Sequence, residues 1–276
     1  MRTTSALFRH SLCTVACIIL VSVGISCSSV PVTGRRQLSL VPSSQMLSMS
    51  FKQYGEFMKQ NTISTNQTQT SLVRTVGTRV KSAVEQYMGQ HGMADRLNGY
   101  AWEFNLVESK EVNAWCMPGG KVVVYTGILP MTRDELGLAV VLGHEIAHAI
   151  AEHGSERMSQ QMLAQFGGAA LSELLKSKPA ETQQLWMGVF GVGAQYGVLL
   201  PYSRTHESEA DRLGLIFMAM AGYNPNGAVE FWQRMSAGKQ GQAPPEFMST
   251  HPSDETRIAQ IREHLPEAGQ YYKPTK

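Results

Sequence analysis

Two histidines stand four residues apart in the segment His144-Glu145-Ile146-Ala147-His148. On a helix this spacing places both imidazoles on one face, one turn apart, where they can bind a single tetrahedral metal ion. Glu145 then lies about 100° round the helix from His144, close enough to hold a water molecule on the metal without being a ligand. Zinc lowers the pKa of bound water towards about 7, so the carboxylate can take its proton and the hydroxide can attack a peptide carbonyl. The segment therefore predicts a peptidase centre with one Zn²⁺ per chain.

A buried helix with two hydrogen-bonded histidines is the alternative interpretation of this segment. The residues around the motif, at 140–142, 146 and 149, are all apolar. An apolar helix has little reason to carry two histidines and a glutamate unless they are paired with something. From ordinary residue frequencies, the motif would arise by chance in about one chain in a hundred of this length. We therefore favour the metal site.

Two histidines alone do not complete a catalytic zinc site, which needs a third protein ligand. The longer metzincin pattern would place glycine at 151 and histidine at 154, but the chain has Ala151 and Gly154. A second predicted helix instead offers three carboxylates, those of Glu207, Glu209 and Asp211. Without the zinc helix, these acids would be interpreted as a solvated helix face.

Residues 203–204 and 207–212 resemble the glutamate-zincin signature of the prenyl-protein peptidase and HtpX family, and especially of its periplasmic lipoprotein branch, the LoiP-like and BepA-like members. The resemblance implies a zincin-type catalytic domain in which Glu207 is the third zinc ligand. It also implies that Asp211, one turn later, orients a ligand imidazole through its ring N–H, a support expected of any metal-bound histidine. Glu209 is the competing ligand, although it points to another face of the helix.

Two further segments share the likeness, which covers nearly the whole chain after residue 27. Residues 30–38 resemble the family's segment after the lipid cysteine. Asn113 and Ala114, with residues 118–120, resemble the edge strand beside the active cleft, which implies that these two residues bind substrate. A substrate chain can add to such an edge as another strand. Plain scaffold is the alternative interpretation of this strand.

His251 and Arg257 also match the family. In BepA-like members the corresponding histidine can occupy the fourth position on zinc, where it displaces the water and holds the enzyme off. A surface histidine at the start of a helix is the alternative for His251. We expect His153 and His206 to be structural or to support the ligands. Because the chain stops at Lys276, we also expect the BepA-like repeat domain to be absent and the LoiP-like members to be the nearer relatives.

The start of the chain has the layout of an export signal. A positive start is followed by an apolar run over residues 11–25, which is shorter than the about 20 residues needed to span a bilayer. Cys27 stands where cleavage is expected, and the segment resembles the signals of bacterial lipoproteins. The resemblance implies lipid on Cys27, since acyl chains can anchor a domain, and Ser28 favours the outer membrane. An uncleaved membrane anchor is the alternative.

The composition excludes two broad classes of protein. With 43% hydrophobic and 17% charged residues, the chain is too apolar to be disordered. A net charge of +2 with scattered Lys and Arg gives no sign of a nucleic-acid partner. If the signal is removed, Cys116 is the only thiol besides the lipid cysteine, so no internal disulfide is expected.

The elements around these motifs predict one predominantly helical α+β domain. Apolar residues at helical spacing run from 69 to 90, and alternation between 100 and 126 predicts a small β-sheet with a Gly-Gly turn beside the zinc helix. Thr132 and Glu135 have capping-box spacing before a long helix from Leu136 to about Met158. The predicted divisions are a lipoprotein signal peptide at 1–26, a lipidated tether at 27–45, a zinc metallopeptidase domain at 46–266 and a C-terminal tail at 267–276.

Together, these observations predict a zinc-dependent endopeptidase tied by its lipid to a membrane of the bacterial periplasm. By resemblance, its partners are unfolded or misfolded envelope proteins, which it would hydrolyse. One alternative is a lipid-anchored chaperone or binding protein with a structural zinc site, although such a site has no need of Glu145 and usually closes with four protein ligands. The other is a zinc hydrolase of lipid or peptidoglycan, against which the strand at Asn113 argues weakly.

Overall fold

The fold is known from a computed structural model that describes residues 27–178, 180–195, 200–237, 247, 251 and 255–274. The predicted signal peptide at 1–26 lies outside the described residues. The helices and strands follow one another as β1 (Cys27–Ser29), β2 (Arg36–Leu38), α1 (Ser43–Gln60), α2 (Gln67–Gln90), β3 (Glu103–Val107), β4 (Ala114–Met117), β5 (Lys121–Tyr125), α3 (Leu129–Thr132), α4 (Glu135–Ile150), α5 (His153–Leu175), α6 (Ala180–Ala194), α7 (Leu200–Met220), α8 (Gly227–Ala237) and α9 (Glu255–Tyr271). The predicted helix-rich α+β class is confirmed.

A three-stranded sheet lies beside the helix that carries the zinc motif. Its order is β3-β5-β4, with β3 parallel and β4 antiparallel to the central β5. The centre of β5, residues 122–124, is fully buried, as expected of three valines in a strand covered on both faces. Gly119 and Gly120 have φ of 86° and 80° in the turn between β4 and β5, a conformation that favours glycine. In the order β3-β5-β4, the strand β4 forms one edge of the sheet.

Helix α4 passes through the centre of the domain and is buried along almost its whole length. It packs against α2, α7, α8 and β4, which agrees with a sequence that is apolar on every side. Gly143 of α4 and Gly214 of α7 lie at the closest approach of the two helices, where a Cβ on Gly143 would stand 2.8 Å from the carbonyl oxygen of Gly214. Two residues without side chains thus let the helix backbones touch.

The helix predicted from Leu136 to about Met158 is interrupted in the structure. Helix α4 ends at Ile150 and α5 begins at His153, and Glu152 between them has a left-handed backbone with φ 57° and ψ 29°. The start of α4 also differs from the prediction. Asp134, not Thr132, caps the helix by accepting a hydrogen bond of 2.9 Å from the N–H of Gly137.

The segment predicted as a tether is folded against the domain in its described part. Strands β1 and β2 pair as an antiparallel hairpin, which we call the N-terminal hairpin, residues 27–38. Val30 in its turn is only 1% exposed and belongs to the main core, and helix α1 already begins at Ser43. At the other end, α9 continues to Tyr271, past the predicted domain boundary at 266. Burial of apolar side chains at both ends accounts for these differences.

Within the described part of the chain, no helix combines the length and the apolar character needed to cross a bilayer.

Candidate metal centre

Four side chains from three parts of the fold converge on one point. His144 and His148 come from α4, Glu207 from α7, and His251 from the segment before α9. One ligand atom of each lies within 4.8 Å of those of the other three. The sequence predicted this set, with His251 as a possible fourth ligand. Because residues of α4 and α7 meet here, the close packing of the two helices is what brings the carboxylate to the imidazoles.

The distances quoted within the cluster are equal to, or a few tenths of an ångström shorter than, those around a tetrahedral zinc ion. The Nε2 atoms of His144 and His148 are 3.1 Å apart, and each is 3.4 Å from a carboxylate oxygen of Glu207. Nδ1 of His251 lies 3.1 Å from Nε2 of His144 and 2.9 Å from Oε2 of Glu207. Zinc bonds of about 2.0–2.2 Å in a tetrahedron place ligand atoms roughly 3.3–3.5 Å apart. The two imidazole groups and the carboxylate are also the donor types that zinc prefers, so the residues fit the predicted ion.

The protonation states expected in the cluster suit metal binding. Burial lowers the pKa of His148 well below its usual value, which keeps the imidazole neutral. Burial alone would raise the pKa of Glu207, but hydrogen bonds with His144, His148 and His251 outweigh it and hold the pKa far below its ordinary range. Glu207 is therefore ionised, and its charge is directed at the point between the rings.

Glu145 borders the cluster without belonging to it. Its Oε1 is buried and has no hydrogen-bond partner among the described residues, and Nε2 of His251 is 3.4 Å away. Burial, the largest influence, raises the pKa of Glu145 to about 7. A carboxyl group with this pKa can both accept and release a proton near neutral pH, as a general acid–base residue must.

Asp211 lies behind His144, as the resemblance implied. Its Oδ1 is 3.0 Å from Nδ1 of His144, so the ring can donate there and direct Nε2 to the cluster. Arg257 donates to both oxygens of Asp211, from Nε at 2.7 Å and from Nη2 at 2.8 Å. The guanidinium also lies over the ring of Trp232, with its centre 3.7 Å from the ring centroid. Sequence reasoning assigned no role to Arg257, although its match to the family was the available signal.

His251 is held near the cluster by a hydrogen bond to the backbone of Phe247. Its backbone N–H donates to the carbonyl of Phe247 at 2.9 Å. Phe247 is fully buried, and its ring stacks on Trp232 with centroids 5.8 Å apart. The imidazole of His251 lies between Glu145 and Glu207.

Glu209, the competing ligand, does not join the cluster. It binds Arg35 and Thr33 of the N-terminal hairpin and lies 3.2 Å from Nε2 of His153. The prediction that His153 and His206 are structural or support the ligands agrees with these positions, because His153 contacts His148 and His206 is 2.8 Å from Oε2 of Glu156.

A cavity of about 310 Å³ opens in front of Glu145 and His148. Its walls come from β4, from the start of α1 and from the turn into α5. They include both apolar and charged side chains, among them Met46, Tyr100, Trp115 and Arg157.

Strand β4 lines this cavity, and the backbone groups of Ala114 lie on the edge of the strand that is not paired with β5. The N–H of Tyr125 donates to the carbonyl of Asn113 at 3.0 Å, so the next pair, Ala114 and Val124, is of the non-hydrogen-bonded kind. Ala114 therefore turns its N–H and carbonyl away from β5. The N–H of Ala114 instead donates a hydrogen bond of 2.9 Å to the side-chain Oδ1 of Asn113. Both residues predicted to bind substrate line the cavity.

Cys27, the predicted site of lipid attachment, opens β1 opposite Leu38. It lies at the first described residue of the chain, directly after the predicted signal peptide.

Comparison with known proteins identifies the family. The sequence profile of Peptidase family M48 matches residues 75–265, a range that includes all four residues of the cluster. The chain is similar to the mitochondrial metalloendopeptidase OMA1 of Schizosaccharomyces pombe, with 38% identity over 191 residues, covering 68% of this chain and 53% of that protein. It is similar to the mitochondrial metalloendopeptidase OMA1 of Homo sapiens, with 30% identity over 247 residues, covering 86% of this chain and 46% of that protein.

A bacterial relative is the beta-barrel assembly-enhancing protease of Yersinia pestis, with 31% identity over 165 residues, covering 58% of this chain and 34% of that protein. The chain spans about half the length of the first of these curated relatives. The relatives thus include proteins named as mitochondrial and proteins of bacteria. The predicted lipoprotein branch is not confirmed by these relatives, since those named OMA1 are mitochondrial. The match over most of the chain confirms the coarser prediction of a metallopeptidase family: the chain belongs to Peptidase family M48.

Proposed function

We propose that the chain is a zinc-dependent endopeptidase in which His144, His148 and Glu207 hold one zinc ion and Glu145 is the general base. The observation that carries this proposal is the convergence of the donors beside a buried carboxylate oxygen of Glu145 that makes no hydrogen bond among the described residues. A structural zinc site has no use for such a carboxylate. Membership of a peptidase family supports the same conclusion.

The residues around the ion divide the chemistry between them. When bound, zinc supplies an activated water and polarises the carbonyl that is attacked. Glu145 would take the proton of the attacking water on its buried carboxylate and deliver it to the leaving amine. Asp211 holds the proton of His144 on Nδ1, so that Nε2 remains free to bind the metal.

An extended peptide is the substrate that the cavity fits best. The outward N–H and carbonyl of Ala114 can pair with a substrate backbone, once the side chain of Asn113 releases the N–H. A strand added at this edge would run along the cavity wall towards Glu145. This geometry favours a peptide over the lipid or peptidoglycan substrates of the alternative hydrolase.

We propose further that His251 holds the site in an inactive state. Its Nδ1 occupies the fourth corner of the donor set, where an attacking water would have to bind. The imidazole must therefore move before the reaction can start. A closed set of four protein donors is also the pattern of structural zinc sites, so a zinc-stabilised binding protein is the second candidate function.

The proposed location and substrates rest on the start of the sequence. The signal-like segment and Cys27 support a lipoprotein of the bacterial periplasm, with the outer membrane favoured, that acts on misfolded or damaged envelope proteins. The relative in Yersinia pestis is compatible with a bacterial envelope, whereas the relatives named OMA1 are mitochondrial. Labelling with a fatty acid in a bacterial host tests the anchor: wild type should take up label in the membrane fraction, and Cys27→Ala should not. Labelling of both, or of neither, contradicts lipid on Cys27.

Substitution of Glu145 tests the catalytic proposal. The variant Glu145→Gln keeps the shape of the side chain but cannot accept a proton, so it should bind zinc as wild type does and lose casein cleavage. His251→Ala is assayed in parallel, because it distinguishes an inactive enzyme from a structural site. Cleavage by His251→Ala that disappears in the double variant supports the mechanism. If neither zinc-loaded wild type nor zinc-loaded His251→Ala cleaves casein, the structural alternative is indicated. Casein cleavage by the double variant at the rate of His251→Ala refutes the role of Glu145.

A further inference from the structure

We propose that Arg35 of the N-terminal hairpin is a positioning residue for the zinc ligand His148, through the connected side chains of Glu209 and His153. The inference rests on the proposed function, because it takes His148 to be a zinc ligand. It adds that the packing of the first described residues of the chain sets how firmly the metal is held.

The first step concerns the proton of His148. Its Nε2 faces the other donors of the cluster, and its Nδ1 lies 2.9 Å from Nδ1 of His153. A neutral imidazole that binds metal through Nε2 carries its proton on Nδ1. His148 must therefore donate in this contact, and Nδ1 of His153 must accept.

The second step follows from the first. Since Nδ1 of His153 accepts, the proton of that ring lies on Nε2, which is 3.2 Å from Oε2 of Glu209. The His153 side chain is buried with only 1% exposed, so water has little access to replace this acceptor. Glu209 thus selects the tautomer of His153, and His153 selects that of His148.

The third step brings in the hairpin. Arg35 donates from Nε to both oxygens of Glu209, at 2.9 and 3.0 Å, and from Nη2 at 2.9 Å. The hydroxyl of Thr33 donates to Oε1 at 2.7 Å. The side chain of Glu209 is only 7% exposed, and a buried carboxylate needs a paired positive charge. Arg35 is therefore what keeps an ionised Glu209 in place behind His153.

The two imidazoles of the zinc helix are supported in parallel ways. His144 contacts Asp211 directly, and Asp211 is paired with Arg257. His148 is likewise connected to a carboxylate and an arginine, those of Glu209 and Arg35, but the ring of His153 lies between His148 and Glu209. The arginine behind His144 comes from α9, whereas Arg35 comes from the N-terminal hairpin. Detachment of that hairpin would remove the support of His148 alone.

Arg35 also binds a second carboxylate, which offers a control. It donates to Glu156 from Nη1 at 2.9 Å and from Nη2 at 2.6 Å. Glu156 contacts His206 on its other side, and that ring stacks on His153. No described hydrogen bond joins Glu156 directly to Glu209, His153 or His148. Loss of Glu156 should loosen the hairpin as loss of Glu209 does, without breaking the connection to the zinc ligand.

The test compares zinc affinity in four variants of the full chain, by competition with a fluorescent chelator at constant pH. Arg35→Gln and Glu209→Gln should weaken zinc binding about tenfold, the lower end of the range for residues that support metal ligands. Arg36→Gln, at the exposed neighbouring position, and Glu156→Gln should bind zinc as wild type does. Thermal unfolding of the metal-free proteins measures the loss of hairpin packing separately.

The outcomes separate this inference from the proposed function. If Arg35→Gln does not fold, Glu209→Gln carries the test, since its side chain keeps the same shape. Wild-type affinity in Glu209→Gln overturns the inference, and so does an equal loss in Glu156→Gln, which would mean that the hairpin acts only through stability. Absence of tight zinc binding in the wild type would instead refute the proposed function.

Discussion

The contact between Gly143 and Gly214 leads to a quantitative prediction about stability and metal binding. A Cβ at position 143 would lie 2.8 Å from the carbonyl oxygen of Gly214, whereas ordinary contacts begin at 3.4 Å. The substitution Gly143→Ala must therefore move the helices α4 and α7 apart by about 0.6 Å, the difference between these values. The atoms in contact belong to the backbone of a helix, so no flexible side chain can yield instead.

The expected cost can be estimated from these contacts. Overpacking of a well-packed interior costs about 1–3 kcal/mol, and the better helix propensity of alanine returns up to about 1 kcal/mol. The free energy of unfolding should fall by up to about 2 kcal/mol, which lowers Tm by up to about 8 °C for a domain of this size. Zinc binding should weaken as well, because His144 follows Gly143 directly and Glu207 lies two turns before Gly214 on α7.

Thermal unfolding and chelator competition measure both effects. The matched control is Gly55→Ala in the middle of α1, where a Cβ would meet nothing within 4 Å. The control should unfold at the wild-type Tm or slightly above it and should bind zinc normally. If Gly143→Ala were as stable as Gly55→Ala and bound zinc as tightly as wild type, the close approach of the helices would not be what positions the cluster.

Three further predictions concern metal, inhibition and pH. Removal of zinc by a chelator should lower Tm, and addition of zinc should restore the original Tm. The reason is that zinc at about 100 times its Kd stabilises the folded state by about 2.7 kcal/mol. An unchanged Tm contradicts zinc binding to the folded state. His251→Ala should raise the initial rate of casein cleavage, and a rate at or below that of wild type argues against the inactive state. Burial raises the pKa of Glu156, but hydrogen bonds from Arg35 and His206 outweigh it and lower the pKa to about 2. Because the pKa is lower in the folded state, the stability from Glu156 is complete above about pH 4.5 and is lost as the pH falls towards 2. Glu156→Gln should therefore be less stable than metal-free wild type at pH 7 and should lose less on acidification, as measured by urea unfolding; parallel curves refute the argument.

The part of the site that sequence could predict is the part that repeats at helical spacing. His144 and His148 are one turn apart, and so are Glu207 and Asp211, so each pair is visible as a local pattern. The sheet was equally visible, because strand alternation and the Gly-Gly turn are local features. These interactions need no knowledge of how distant segments pack.

What sequence could not predict depends on distant contacts or on unusual backbone. Arg35 pairs with residues 121 and 174 positions away, and no periodicity links such partners. The turn at Glu152 was missed because a left-handed backbone at a glutamate has no sequence signal of the kind that glycine provides. The tether was predicted from small and polar residues, yet two buried valines, Val30 and Val41, and the two ion pairs of Arg35 hold that segment on the domain.

The length of β4 has a consequence for which proteins the proposed peptidase could cut. The strand has only four residues, and alternate residues face the open edge, so few backbone bonds are available to a substrate. A partner strand matching it must be extended over about 13 Å, with its own N–H and carbonyl groups free. Helices and paired strands cannot offer that, whereas termini, long loops and unravelled segments can. The edge of β4 would therefore select a substrate by the conformation of its backbone more than by the identity of its side chains.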